Sequence, residues 1–335
     1  RQRHPMSPDL EPERLAVLAH YGAAVAGLRW VPLGSGGGFS GAQVWRGDDP
    51  TGAPVLALKV WPETTTAEQL ARVHGWMTQA AHLAFVPTVL RSSTSVTTVV
   101  EAGCVWDLCR WMPGAADFEM NPSHARLANA CAAVAALHGA WPPNPVPASC
   151  PGVLNRLRIL GEFRAAVASL RGSLPPVHPA LDPVLTLAWQ AARHAAPAAE
   201  DELRPWAAMP VRIRPCVRDL RGEHVLFIGD EVSGVIDFGA MAEDHPAADL
   251  ARLLGDLAGD DDTAFAAGLA AYRAAGGELG APEAFVRLLD RTGVVCSVIG
   301  WLRRLVAGRQ KPDRPLAVAS RLGRLLTRLE NSFRA

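Results

Sequence analysis

Two aspartates, Asp219 and Asp237, frame the stretch CVRDLRGEHVLFIGDEVSGVIDFG, residues 216–239. Inside it two short apolar runs, 225–228 and 234–236, flank a turn at Gly229–Asp230, the pattern of a β-hairpin. Asp219 precedes the first run by several residues and Asp237 follows the second directly, so a hairpin that folds back lets the two carboxylates converge. Neighbouring carboxylates repel one another, and an apolar setting adds a desolvation cost. A cation between them answers both, and a divalent metal is the simplest candidate. A second group with chemistry stands far upstream. Of 33 Lys plus Arg, only Lys59 and Lys311 are lysines. Lys311 lies in the polar turn RQKPDRP, whereas Lys59 sits inside the apolar run VLALKVW. A charge there is expensive unless it is paired or reaches water along its own stem.

The surrounding pattern supplies the elements that must hold these groups. Residues 11–27 show helical spacing of Leu15, Leu18, Tyr21 and Val25. The strand RWVPL comes next, then the glycine-rich loop 34–41, a strand at 42–45, a turn at 48–52 and a strand at 55–60 that carries Lys59. Glycines let a backbone approach phosphates closely and offer N–H donors, and they equally suit a flexible hairpin loop. The loop lacks the Gly-x-x-x-x-Gly-Lys-Ser/Thr pattern, which argues against a P-loop. A helix is expected over 66–84, where Thr65-Thr66-Ala67-Glu68 fits a capping box. Residues 85–113 hold further strands. Asn121-Pro122 is expected to cap a helix whose stripe is Leu127, Cys131, Val134, Leu137 and Trp141. Helices are expected near 154–170 and 183–196, and again over 250–257, 263–275, 282–305 and 315–333. His138, at the end of an apolar face, reads as a structural hydrogen-bonder.

With 335 residues the chain can build two domains, each with a core. A formal net charge of zero argues against a dedicated nucleic-acid binder. The basic C-terminal stretch puts Arg321, Arg324 and Arg328 on one helix face and leucines on another, a solvated face. Asp260, Asp261 and Asp262 precede a helix, where acids favour the dipole; the alternative is that they receive a cationic substrate. Six cysteines without a CxxC pair fit reduced thiols in a cytoplasmic protein. The charged, non-apolar first residues do not fit a signal peptide, and 1–10 reads as a leader. No run approaches the ~20 apolar residues of a membrane span.

The run from Asp219 to Phe227, followed by Ile236-Asp237-Phe238-Gly239, resembles the catalytic and metal-binding loops of kinases. The strongest resemblance is to the aminoglycoside phosphotransferase and choline kinase family, with its His-Gly-Asp-Leu-His-x-x-Asn and Ile-Asp-Phe/Trp runs. His245-Pro246-Ala247-Ala248-Asp249-Leu250-Ala251 resembles that family's Asp-Pro-x-x-Asp-Leu-Ala. The order strand, glycine-rich loop, strand, turn, strand with Lys is that of a kinase N-lobe.

This resemblance implies an α+β, bilobal protein-kinase-like fold: a small N-lobe with an antiparallel sheet plus helix over 11–108, a hinge at 109–114 and a larger, mainly helical C-lobe over 115–335. It implies ATP, with Mg²⁺ or Mn²⁺, and a small-molecule hydroxyl acceptor, in a monomer or homodimer. Asp219 would orient the acceptor and take its proton, with Arg221 neutralising the moving phosphoryl group. Asp237 and His224 would hold the metal. Gly36, Gly37, Gly38 and Lys59 would face the phosphates, and Arg110, Trp111 and Met112 the adenine through backbone groups. Glu68 is the one helical candidate to orient Lys59, because 72–75, where the family places its Glu, reads Arg-Val-His-Gly. Val217 and Arg218 replace the family's His and Gly, and His224 replaces the metal-binding Asn. Imidazole suits softer ions than Mg²⁺; His224 is a ligand, acts through water, or faces the loop backbone. Two readings result, an active small-molecule kinase and a nucleotide-binding pseudokinase that serves as a scaffold.

Overall fold

The computed structural model describes residues 10–34, 42–169, 174–308, 312 and 314–333. In chain order the strands are β1 (Arg29–Gly34), β2 (Gln43–Asp48), β3 (Pro54–Val60), β4 (Thr98–Glu101), β5 (Cys104–Arg110), β6 (Ala148–Ser149), β7 (Pro210–Val211), β8 (Arg214–Cys216), β9 (Val225–Ile228), β10 (Glu231–Val235) and β11 (Ala242–Asp244). The helices are α1 (Glu11–Ala19), α2 (Ala23–Ala26), α3 (Ala67–Gln79), α4 (His124–Ala140), α5 (Pro151–Ser169), α6 (Asp182–Ala207), α7 (Ala247–Leu257), α8 (Asp262–Ala274), α9 (Glu283–Leu302) and α10 (Pro315–Ser332). The chain forms two compact units, Arg1–Asp117 with Glu223–Ala240, and Phe118–Gly222 with Met241–Ala335.

The first unit is built on an antiparallel five-stranded sheet in the order β1-β2-β3-β5-β4. Side chains alternate across a strand, so Leu56, Leu58 and Val60 of β3 join one core with Val17, Leu18, Trp45 and Trp106. Lys59 and Trp61 fall on the opposite face, where Trp61 packs with Leu70 of α3 and Val105 of β5. The helix expected over 11–27 is two helices, because Gly22 takes φ +89° between them and ends the first. Thr66 caps α3 by accepting from Gln69 N at 3.1 Å. That helix stops at Gln79, short of the expected 84, in a series of turns at Ala80–Leu83.

The hairpin β9–β10 is the one expected from the sequence, with Glu231 opposite Ile228 and a register shift between Val232 and Gly234. It belongs to the first unit, although 115–335 was expected to form one helical lobe. The reason is local: Phe227 exchanges backbone hydrogen bonds with Ala115, and Val235 N donates to Phe85 O. Met112 lies so close to Gly234 that a Cβ there would stand 2.8 Å from its own.

The second unit is mainly helical. Helix α4 packs on α8, while α9 takes α5, α6, α7 and α10 against it. Ser123, not Asn121, caps α4 by accepting from Arg126 N; Pro122 precedes the cap instead of occupying the first turn. Helix α9 runs on into a π-helical turn, Arg303–Ala307. A two-stranded pairing of β8 with β11 sets Cys216 opposite Ala242. The cysteines are all free, and no helix among the described residues is long and apolar enough to cross a membrane.

Candidate active site

In the first unit the Lys59 ammonium lies 2.6 Å from Asp237 Oδ1 and 3.8 Å from the centre of the Trp61 ring. The carboxylate and the aromatic face together answer the cost of a cation on an apolar strand. Trp61 shares a strand face with Lys59 because it is two residues further on. The indole also restricts the turn after Asp237. A Cβ on Gly239 would stand 2.1 Å from Trp61, so a side chain there collides with a rigid ring. Asp237 itself has φ +62°, in the left-handed region. Such a conformation costs a non-glycine residue on the order of 1–3 kcal/mol and clusters at functional sites. His224 stands on the other side of the same carboxylate, its Nε2 3.7 Å from Oδ2, and its carbonyl accepts from Ile236 N. One carboxylate and one imidazole form a donor pair that fits Mn²⁺ or another borderline ion, and Mg²⁺ less well.

Lys59 is not oriented by Glu68. Glu68 is exposed in the first turn of α3. What α3 sends to the sheet is His74, one of the positions 72–75. His74 Nε2 lies 3.0 Å from Asp107 Oδ2, with both side chains buried. Asp107 is the cross-strand partner of Lys59 in the β3–β5 pairing, which puts the two side chains on one face. The sequence signal for Asp107 was a lone acid inside the apolar run CVWDLC.

Of the three residues expected at the adenine, Arg110 N donates to Thr88 O and Trp111 N to Val55 O. Those two donors are therefore engaged in the unit's own backbone network and are withdrawn from the expected contacts. Met112 is buried against the hairpin. Gly36, Gly37 and Gly38 lie outside the described residues.

Asp219 belongs to the second unit, where Oδ1 accepts from Arg221 Nε at 2.9 Å and from Arg252 Nη2 at 3.2 Å. Arg252 was not expected; it lies three residues past Asp249, one turn along α7. Burial lowers the pKa of its guanidinium, and the charge of Arg221 lowers it further, while Asp219 opposes both.

The loop before Asp219 is tied down by Asp249. That buried carboxylate accepts from the backbone N–H of Val217 and of Arg218 and faces His138 Nε2 at 3.1 Å. His138 Nδ1 is in turn 2.9 Å from the hydroxyl of Tyr272, so His138 is structural, as expected. Asp219 N donates to Val217 O at 2.9 Å, and Arg218 between them has φ +68°. This is a positive-φ γ-turn, a strained geometry that suits glycine. Arg218 is held there by Asp249 and by its own ion pair with Asp244 at 3.4 Å. Val217 is fully buried, so an apolar side chain fills its place.

The acids at 260–262 are spent on structure. Asp260 pairs with Arg328 and Asn331, Asp261 caps α8, and Asp262 pairs with Arg287. On α10, Arg324 pairs with Glu119 and Arg328 also with Asp290.

With this geometry in place, comparison with known proteins is informative. Residues 32–285 match the model of the family described as "Phosphotransferase enzyme family". No curated protein sequence matches. Among solved structures, a spectinomycin phosphotransferase in complex with ADP and spectinomycin aligns with TM-score 0.70 at 10% identity, covering 98% of this chain and 100% of that one. An amicoumacin kinase in complex with AMP-PNP, Ca²⁺ and Ami aligns with TM-score 0.63 at 13% identity, covering 98% and 94%. A choline/ethanolamine kinase family protein from Mesorhizobium loti aligns with TM-score 0.55 at 19% identity, covering 96% and 99%. At these identities the likeness is one of fold.

Proposed function

The chain belongs to the phosphotransferase enzyme family, and from that premise we propose that it transfers the γ-phosphoryl group of ATP to a hydroxyl of a small molecule. The observation that carries this reading is the 2.6 Å ion pair between Lys59, one of two lysines in the chain, and Asp237 in its left-handed turn. It joins the two residues that the family resemblance assigns to phosphate and metal.

In the proposed reaction the acceptor oxygen forms a bond to the γ-phosphorus and the bond to the β-phosphate oxygen breaks. ADP leaves, and the acceptor's proton passes to Asp219. Such a transfer depends on positioning and on charge neutralisation more than on covalent chemistry. Asp219 orients the hydroxyl, itself held by hydrogen bonds from the guanidiniums of Arg221 and Arg252. Lys59 steadies the nucleotide phosphates. Asp237 and His224 are the residues that would hold a divalent cation, which supplies charge neutralisation on the polyphosphate when bound.

A second reading, a nucleotide-binding pseudokinase, is favoured by one observation: His224 offers nitrogen where the family has an oxygen donor. ADP release separates the two. Purified protein with ATP, Mg²⁺ or Mn²⁺ and a panel of hydroxyl compounds is expected to produce ADP and a phosphorylated acceptor. Thermal stabilisation by ATP with no turnover under either metal would select the scaffold reading.

A further inference from the structure

We propose that Asp107, held by His74, is a positioning residue for Lys59 in the phosphoryl transfer: it is the second carboxylate that anchors the ammonium on its face of the sheet when Asp237 holds the divalent cation. This deepens the phosphotransferase reading and rests on it. Kinases orient the strand lysine with a glutamate from the following helix. Here α3 carries a single acid, Glu68, which is exposed in the first turn. Asp107 is the one acid in the β3–β5 strand pair. A divalent cation on Asp237 repels an ammonium beside the same carboxylate. A second anion within reach of Lys59 holds the ammonium against that repulsion.

The first observation is a ladder of contacts on one face of that strand pair. Trp61 N donates to Val105 O, and the Trp61 side chain packs with Val105 and with Leu70 of α3. Lys59 and Asp107 each stand two residues along their strands from this rung, so they share its face and lie directly opposite one another. Directly opposed residues on one face have Cβ atoms about 4.5–5.5 Å apart, a separation that a lysine stem spans. His74 lies one helical turn past Leu70 and completes the second rung, with Nε2 3.0 Å from Asp107 Oδ2. The Trp61 ring, 3.8 Å from the ammonium, joins the two rungs. Both charges also reach the Cys109 thiol, the next residue on that face of β5: burial raises its pKa, Asp107 raises it further, and Lys59 opposes them.

The second observation is how thinly Asp107 is partnered for a buried carboxylate. Asp48 accepts from Arg29 and twice from Arg46. Asp244 accepts from the backbone of Gly152 and His245 and from the Cys150 thiol. Asp249 accepts from two backbone N–H groups and faces His138. Asp107 is only 5% exposed, yet among the described residues its hydrogen bonding is the single contact of Oδ2 with His74. A buried carboxylate in that state is costly unless a cation stands near it, and Lys59 is the cation directly across the sheet. His74 has no competing contact, since its Nδ1 is buried without a hydrogen-bond partner among the described residues. The imidazole therefore fixes the carboxylate through Oδ2, and Oδ1 is left for the ammonium.

The test is calorimetric titration of ATP into the full chain with Mg²⁺ or Mn²⁺ and no acceptor, so that binding is read without turnover. Asp107→Asn removes the charge and keeps a hydrogen-bond partner for His74. It is expected to fold, with an unfolding midpoint near that of the unaltered protein, and to bind ATP about tenfold more weakly, the worth of one charge-assisted hydrogen bond. Adding His74→Glu to Asp107→Asn returns a carboxylate to the same place from the helix side, and affinity is expected to recover at least in part. A purely structural pair gives no such rescue. His74→Gln, which keeps both the charge of Asp107 and a donor toward it, is expected to bind ATP as the unaltered protein does. If Asp107→Asn does not fold, His74→Leu with Asp107→Leu removes the pair without a buried polar orphan and is expected to show the same tenfold loss. ATP affinity unchanged without the Asp107 charge, a loss that His74→Glu does not recover in folded protein, or an equal loss in His74→Gln would each overturn the role of Asp107 and leave the phosphotransferase reading standing. An unaltered protein that binds no ATP would overturn that reading, and this one with it.

Discussion

His74 Nε2 lies 3.0 Å from Asp107 Oδ2, and Asp107 stands directly across the sheet from Lys59. The helix therefore contributes an imidazole to the neighbourhood of the lysine, and the carboxylate comes from β5. Both members of this pair are buried, so removal of either leaves the other unsatisfied. His74→Ala and Asp107→Ala are each expected to cost about 1–3 kcal/mol in urea-induced unfolding. In the double variant the two costs should fall short of additive, because the second change removes an already orphaned group. Additive losses would show that the pair does not act as a unit.

Lys59→Met deletes the cation held by Asp237 and by the Trp61 ring while keeping a side chain of similar length. The expected outcome is a folded protein whose Tm no longer rises with ATP. Differential scanning fluorimetry across an ATP titration reads this directly, and an undiminished rise would remove Lys59 from the nucleotide's partners.

Asp219→Asn keeps the shape of the side chain and removes its ability to take a proton. Transfer measured as ADP release is expected to fall by about 10²–10⁴, while the ATP-dependent Tm shift persists. An unchanged rate would mean that another group, or water, receives the proton.

Gly239→Ala drives a methyl group to within 2.1 Å of the Trp61 ring. Overpacking against a rigid ring is expected to destabilise the protein by about 1–3 kcal/mol. Adding Trp61→Leu, which shortens the obstructing side chain, should return part of that loss. If the second substitution only adds to the damage, the indole is not what restricts position 239.

His245 gives the pH dependence a defined limb. Burial, together with the charges of His138 and Arg214, lowers its pKa to about 4, and its Nδ1 accepts from Ala247 N, which requires the unprotonated nitrogen. The unfolded chain binds this proton near pH 6.5 and the folded chain only near 4. Stability is then unaffected above about pH 6.5 and falls as the pH drops from there toward 4, by about 3 kcal/mol in all at ~1.4 kcal/mol per pH unit. His245→Gln should flatten that limb in unfolding curves taken at pH 7, 6, 5 and 4.5; an unaltered slope would assign the acid sensitivity to other groups.

Much of the architecture was legible in residue order. Short apolar runs bounded by turn residues marked β3 and the β9–β10 hairpin, and helical periodicity marked α4 and the helices after Asp249. The adjacency of Asp237 and Phe238-Gly239 to the end of an apolar strand marked a site, because strand ends and turns are written locally in Gly, Asp and β-branched residues. Cap and boundary details were less legible. Ser123 rather than Asn121 caps α4, and Gly22 divides the first helix, since several residues in a row satisfy the same local preference.

What the order of residues determined by itself was the set of chemical groups: a scarce lysine, two aspartates and the arginine beside one of them. Tertiary structure decided which groups meet. Glu68 was the nearest helical acid to Lys59 in sequence, yet Asp237, 178 residues away, takes the ammonium, and Asp107 reaches its side of the sheet through strand pairing. Arg252 had no motif to mark it; its burial and its hydrogen bonds to Asp219 gave it meaning. The physical reason is that Coulomb energy and desolvation depend on distance in space and on what excludes water there, and neither is written along the chain.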